Sequence, residues 1–162
     1  MLLTKDKALQ GYSTKQYFPN IKVNKNPVED IYKAVTVPVE VLSYFDNLES
    51  PLALVVFHAE WCGDAITTTP TILKLADTSS NLTPYIFNRD EEVDLTNQFL
   101  PEHRANTVPV FVVLDAEFNE VARFIETAKG LIPMLDAMNA VSYTHLRAHE
   151  TRHDLVCRLL LE

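Results

Sequence analysis

Apolar residues in this chain switch between two spacings. Residues 52–57 (Leu-Ala-Leu-Val-Val-Phe) form an unbroken apolar run with β-branched positions, which predicts a buried strand. From Asp64 the spacing becomes helical, with Ile66, Thr69/Pro70, Leu73 and Ala76 on one face, and predicts a helix over 64–77. Thr67, Thr68 and Thr69 are poor helix formers and Pro70 removes a backbone donor, so a kink is expected near Ile66. Upstream, Val41/Leu42, Phe45 and Leu48 predict an amphipathic helix that starts at Pro38, and residues 47–51 end it. Downstream, 78–81 reads as a loop and 84–87 as a short strand. Asp90 then stands where it can cap a helix, with Glu91 and Glu92 suited to the dipole, Val93, Asn97 and Leu100 on one face, and Pro101 as the stop. Residues 109–114 predict a second buried strand, 115–119 a turn, and 121–125 its hairpin partner. Gly130 and Pro133 precede a last helix over 131–140, presenting Leu135 and Met138.

The order is βαβ, a helix, a β-hairpin and a final helix. Strand-helix-strand units imply a parallel portion of sheet, and the hairpin adds an antiparallel edge. An α/β fold with a mixed central sheet flanked by helices is therefore expected. Residues 1–30 are polar, carry Lys5, Lys7, Lys15, Lys22 and Lys25, and show poor periodicity. They read as an extension packed loosely on the domain or partly ordered, with a binding arm as the alternative. The division expected is an extension over 1–37, one domain over 38–140, and a tail over 141–162.

The chemistry concentrates at the strand-to-helix turn, Phe57-His58-Ala59-Glu60-Trp61-Cys62-Gly63-Asp64-Ala65. A cysteine at a helix N-terminus faces unpaired N–H groups and the positive end of the dipole, which favour the thiolate. These residues resemble the thioredoxin family, whose active-site turn is Trp-Cys-Gly-Pro-Cys. Trp61, Cys62 and Gly63 match, whereas Asp64 and Ala65 stand at the last two positions. The resemblance extends to Pro70, eight positions after Cys62, where the family carries a helix-kinking proline, and to Val108-Pro109, where it places a cis-proline facing the sulfur. Asn88-Arg89-Asp90-Glu91 and Thr107-Val108-Pro109 look like a bacterial thioredoxin-like subgroup with Trp-Cys-Gly-Asp at the turn. The likeness spans roughly 39–140 and implies a thioredoxin-like fold.

Disulfide reduction by a dithiol needs a second sulfur to resolve the mixed disulfide, and Ala65 cannot supply it. Cys62 can still attack a disulfide if an external low-molecular-weight thiol completes the cycle. Asp64 suits the helix dipole yet repels a nearby thiolate. Val56 stands six positions before Cys62, where the family carries a buried carboxylate, and Glu60 is either a substitute helper or a solvated side chain. Trp61 reads as a lid and partner-contact residue or as a core residue, and His58 as a packed strand-end residue or a base. His103 is unassigned. No combination of His, Cys and carboxylate has metal-ligand spacing, so no bound metal or cofactor is expected. Beside a third, weaker reading as a monothiol carrier that buffers low-molecular-weight thiols, two functions remain open. One is monothiol redox chemistry through Cys62 on protein or small-thiol disulfides. The other is a non-catalytic thioredoxin-fold module binding peptide or protein in a Trp61/Pro109 groove.

Composition changes the picture mainly at the C-terminus. Residues 141–151 (Val-Ser-Tyr-Thr-His-Leu-Arg-Ala-His-Glu-Thr) and 154–162 (Asp-Leu-Val-Cys-Arg-Leu-Leu-Leu-Glu) resemble, in order, two blocks of a translated transposase-type sequencing adapter. The tail is therefore expected to be an artefact, with the natural chain continuing differently after Ala140, and Cys157 is set aside. A genuine amphipathic helix through Leu146, Leu155 and Leu159 is the alternative. The 162 residues carry a formal charge of −8, with no basic stripe to neutralise phosphates, so nucleic acid is not an expected partner. No apolar run reaches the ~20 residues of a membrane span. With Cys62 alone, no intrachain disulfide forms, and a monomer in a reducing cytoplasm is the expectation.

Overall fold

The computed structural model describes residues 2–126. Strand β1 (Leu52–His58) is central in a four-stranded sheet of order β2-β1-β3-β4. It pairs parallel with β2 (Leu82–Asn88), from Leu52↔Leu82 to His58↔Asn88. On its other side it runs antiparallel to β3 (Val110–Leu114), which forms the hairpin with β4 (Glu120–Ile125). The unbroken apolar run of β1 follows from this place, because both of its faces are covered. Ala53, Val55 and Phe57 pack on one side with Phe87, Phe99, Val110 and Val112. Leu54 and Val56 pack on the other with Leu73, Ala76, Ile86 and Phe111. A slip of one residue would exchange the two sets, so the register is strongly specified.

Helix α5 (Gly63–Thr78) follows β1 and continues through the buried Pro70. The threonines that weaken its propensity bond backward instead: Thr67 Oγ1 donates to Gly63 O (3.2 Å) and Asp64 O (3.0 Å), Thr68 Oγ1 to Asp64 O (2.6 Å). Helix α4 (Val39–Asp46) lies where Pro38 and the apolar spacing put it.

The N-terminal segment corrects the expectation of loose packing. It forms α1 (Lys5–Ala8), α2 (Thr14–Asn20) and α3 (Lys25–Ala34), and it buries Leu3, Ala8, Tyr17, Ile21 and Val28 against the two faces of the sheet. A capping box between Ser13 and Gln16 starts α2. Tyr12 exchanges two 2.8 Å backbone hydrogen bonds with Ile86 and so covers part of the free edge of β2. Its neighbour Gly11 lies so close that a Cβ there would sit 2.9 Å from Phe87 Cε2 and from Tyr85 Cβ. Each short helix contributes only one or two buried residues, too few to show a period.

The acidic cluster is also corrected. Helix α6 (Val93–Asn97) starts after Glu92 without a side-chain cap. Glu92 instead pairs with Lys7 Nζ at 2.5 Å, and Asp90 is committed elsewhere. The helix is shorter than its apolar spacing suggested, and Phe99, just beyond it, is the residue buried against Phe57. The expected last helix over 131–140, the tail over 141–162 and Cys157 lie outside the described residues.

Candidate functional site

Cys62 is the N-cap residue of α5, in extended conformation, and its carbonyl accepts the N–H of Ile66 at 2.9 Å. The side chain is half-buried, with Sγ 3.4 Å from the carbonyl oxygen of Val108. The Val108–Pro109 peptide is cis, and both residues are buried. Gly63 opens the helix, and a Cβ there would meet nothing within 4 Å, so the helix tip is open on that side. Asp64 is exposed beside it, whereas Ala65 is fully buried one turn in. Pro70 lies farther along α5 next to Thr69, which supports the strand behind the turn.

Trp61 is 58% exposed and is no core residue. Its Nε1 donates to Asp90 Oδ2 at 2.7 Å, and the Arg89 guanidinium lies over its ring at 5.4 Å. Arg89 also bonds Asp90 Oδ1 (3.1 Å) and the Asn106 carbonyl (2.7 Å), while its backbone N–H donates to the His58 carbonyl (2.8 Å). One side chain thus ties together the cysteine turn, the loop after β2 and the loop before Pro109. Arg89 figured in the sequence only as part of a motif, with no positioning role assigned.

Glu60 is tied to the N-terminal segment rather than free in solvent. Its Oε2 accepts the backbone N–H groups of Lys22 (2.9 Å) and Val23 (2.6 Å), and its carbonyl accepts from Asn24 Nδ2 (2.8 Å). Val56 is wholly buried, and the buried polar side chains among the described residues are Thr14, His58, Thr69 and Thr96, with no carboxylate. His58 is 2% exposed, and burial pushes its pKa down to about 4, so it is neutral at pH 7. Its Nδ1 lies 3.1 Å from Thr69 Oγ1, and Tyr17 meets the ring edge-on at 5.3 Å. The turn therefore presents one thiol, one exposed indole and a proline loop, with a buried alanine at position 65.

His103 is exposed in a 3-10 turn, Glu102–Arg104. Among the described residues, no group of three or more His, Cys, Asp or Glu side chains is arranged to hold a metal ion. Nor is any helix there long and apolar enough to cross a membrane.

A family model described as thioredoxin matches residues 11–139. Among solved structures, a protein of unknown function from Pseudomonas aeruginosa is similar, with a TM-score of 0.69 at 19% identity over 88% of this chain and 90% of that one. An HIV epitope-scaffold aligns with a TM-score of 0.67 at 18% identity, covering 80% of this chain and 81% of its own. Mitochondrial thioredoxin 3 from Saccharomyces cerevisiae, in its oxidized form, aligns at 16% identity and a TM-score of 0.39, over 66% of this chain and 98% of that one. No curated protein matches the chain. At these identities the first two structures show a shared fold alone.

Proposed function

The chain belongs to the thioredoxin family, and on that premise we propose that it carries out monothiol exchange with disulfides through Cys62 alone. Thiol–disulfide redox chemistry is the function at the level of the family, and it runs without a bound cofactor. The observation that carries the finer reading is the pairing of a half-exposed Cys62, at a helix tip and 3.4 Å from the Val108 carbonyl, with a buried alanine at position 65.

In the first step the Cys62 thiolate attacks one sulfur of a disulfide, forming a mixed disulfide and releasing the other sulfur as a thiolate. In the second step the thiolate of a low-molecular-weight thiol attacks the substrate sulfur of that adduct. Cys62 leaves as a thiolate, and the substrate departs bound to the small thiol. Trp61 and the Val108–Pro109 loop flank the sulfur and offer contacts to an extended protein segment. We place this cycle in a reducing cytoplasm and in a monomer.

Intact-mass analysis of the protein incubated with glutathione disulfide tests the reading. In a Cys157→Ser background, one adduct on Cys62, removed by excess glutathione and absent once Cys62→Ser is added, is the expected result. No adduct under conditions that modify free cysteine refutes it. Peptide binding that survives Cys62→Ser, with no adduct, favours the alternative of a non-catalytic binding module at the Trp61/Pro109 groove.

A further inference from the structure

Arg89 follows the last residue of β2, and its N–H donates to the His58 carbonyl at 2.8 Å, so its backbone is fixed by the end of the sheet. The side chain is largely buried, at 13% exposure. Nη1 donates to Asp90 Oδ1 (3.1 Å), Nη2 donates to the Asn106 carbonyl (2.7 Å), and Cζ lies 5.4 Å from the centre of the Trp61 ring. Asp90 in turn accepts from Trp61 Nε1 at 2.7 Å. The indole is thus held at its face by the cation, and at its nitrogen by the carboxylate that the same cation binds. At 58% exposure Trp61 has little packing around it, so these contacts decide where it stands.

The opposite wall of the cysteine turn depends on the same group. Asn106 has a left-handed φ of 67°, which asparagine tolerates better than most residues. It stands two positions before Val108, whose carbonyl accepts from Cys62 Sγ at 3.4 Å. Asn97 anchors Asn106 to α6 through a 2.8 Å bond from the Asn106 N–H to Asn97 Oδ1, whereas Arg89 ties the same residue toward Trp61. Charge-assisted bonds are the strong ones, and a planar fork can serve carboxylate, carbonyl and ring at once. A lysine ammonium has no plane to lay on the indole while it donates in two directions.

We propose that Arg89 is a positioning residue for exchange at Cys62: it sets the separation of Trp61 and the Val108–Pro109 loop, so that a disulfide on an extended protein segment is held between them in preference to a small one. The inference rests on the monothiol reading. Arg89 acts through the two walls and not on the sulfur.

Two disulfides that share a leaving group test it: hydroxyethyl disulfide, and a blocked ten-residue peptide whose central cysteine is disulfide-bonded to 2-mercaptoethanol. In each reaction the Cys62 thiolate bonds to one sulfur, the S–S bond breaks, and 2-mercaptoethanol leaves as its thiolate. Intact mass follows the rate of each adduct on the full chain in the Cys157→Ser background. Arg89→Lys and Arg89→Gln should slow the peptide adduct at least about tenfold, the scale on which small misplacements cost rate, and the hydroxyethyl adduct by less than about threefold. The fluorescence anisotropy of Trp61, the chain's only tryptophan, should fall in both variants. Equal slowing of the two disulfides, or rates or anisotropy unchanged in both variants, overturns the inference. Wild-type protein that forms neither adduct refutes the monothiol reading and this inference with it, whereas wild-type adducts without a selective loss in the variants refute this inference alone.

Discussion

Acidification should unfold this protein through His58 before any described carboxylate with a lowered pKa contributes. The imidazole is packed between Tyr17 and Thr69 at 2% exposure, and burial lowers its pKa from 6.5 to about 4. Between those two values the unfolded chain binds the proton and the folded chain does not. Stability therefore rises with pH across the window and is lost as pH falls from about 6.5 toward 4. From 6.5 down to about 4, at about 1.36 kcal/mol per pH unit, the loss comes to about 3 kcal/mol by pH 4. That is a large share of the roughly 5–15 kcal/mol that holds a domain of this size together. Asp46 and Asp115 are held below 3.8 by hydrogen bonds, chiefly from the backbone at Ser80 and Asn119, so their contributions are lost only below that value. Urea denaturation at several pH values between about 7.5 and 4.5 measures the slope. In His58→Gln, which keeps a polar group near Thr69 without a titrating ring, the slope between pH 6.5 and 4 should fall by most of its wild-type value. An equal slope in the variant, or a His58 ring that titrates near 6.5 in NMR spectra of the folded protein, would refute the reasoning.

Three further outcomes are expected. Gly11→Ala should cost about 1–3 kcal/mol, because the added methyl would lie 2.9 Å from Phe87 and Tyr85 and push Tyr12 off the edge of β2; the thermal midpoint measures it, and an unchanged midpoint would contradict the close packing. Phe57→Ala should cost about 3–5 kcal/mol, since the ring is fully buried, stacked on Phe87 and tilted against Phe99, each with centroids 5.7 Å away; chemical denaturation with an unchanged m-value checks it. Ala65→Cys places a second sulfur one helical turn from Cys62, within roughly 5–6 Å between Cβ atoms, and should convert background insulin reduction with a dithiol donor into measurable turnover. Wild-type turnover equal to that of the variant would show that position 65 does not limit the cycle.

The central strand, the cysteine at the helix tip and the missing second sulfur could be read from the chain because each depends on neighbours in sequence. A six-residue apolar run with β-branched positions reads as a strand covered on both sides, and position 65 bears an alanine wherever the fold puts it. The packing of the N-terminal segment was not legible, because Leu3, Ala8, Tyr17, Ile21 and Val28 are isolated buried residues on or beside separate helices. Their burial is decided by the sheet they meet. The partners of charged groups were equally hidden. Glu60 is satisfied by Lys22 and Val23, Asp90 by Trp61, and Glu92 by Lys7, contacts 29 to 85 residues apart. No period in the chain records which donor will reach which carboxylate. Tertiary structure alone brought Tyr17 edge-on to His58 at 5.3 Å, since the two rings come from segments far apart in sequence and only the folded sheet brings them together.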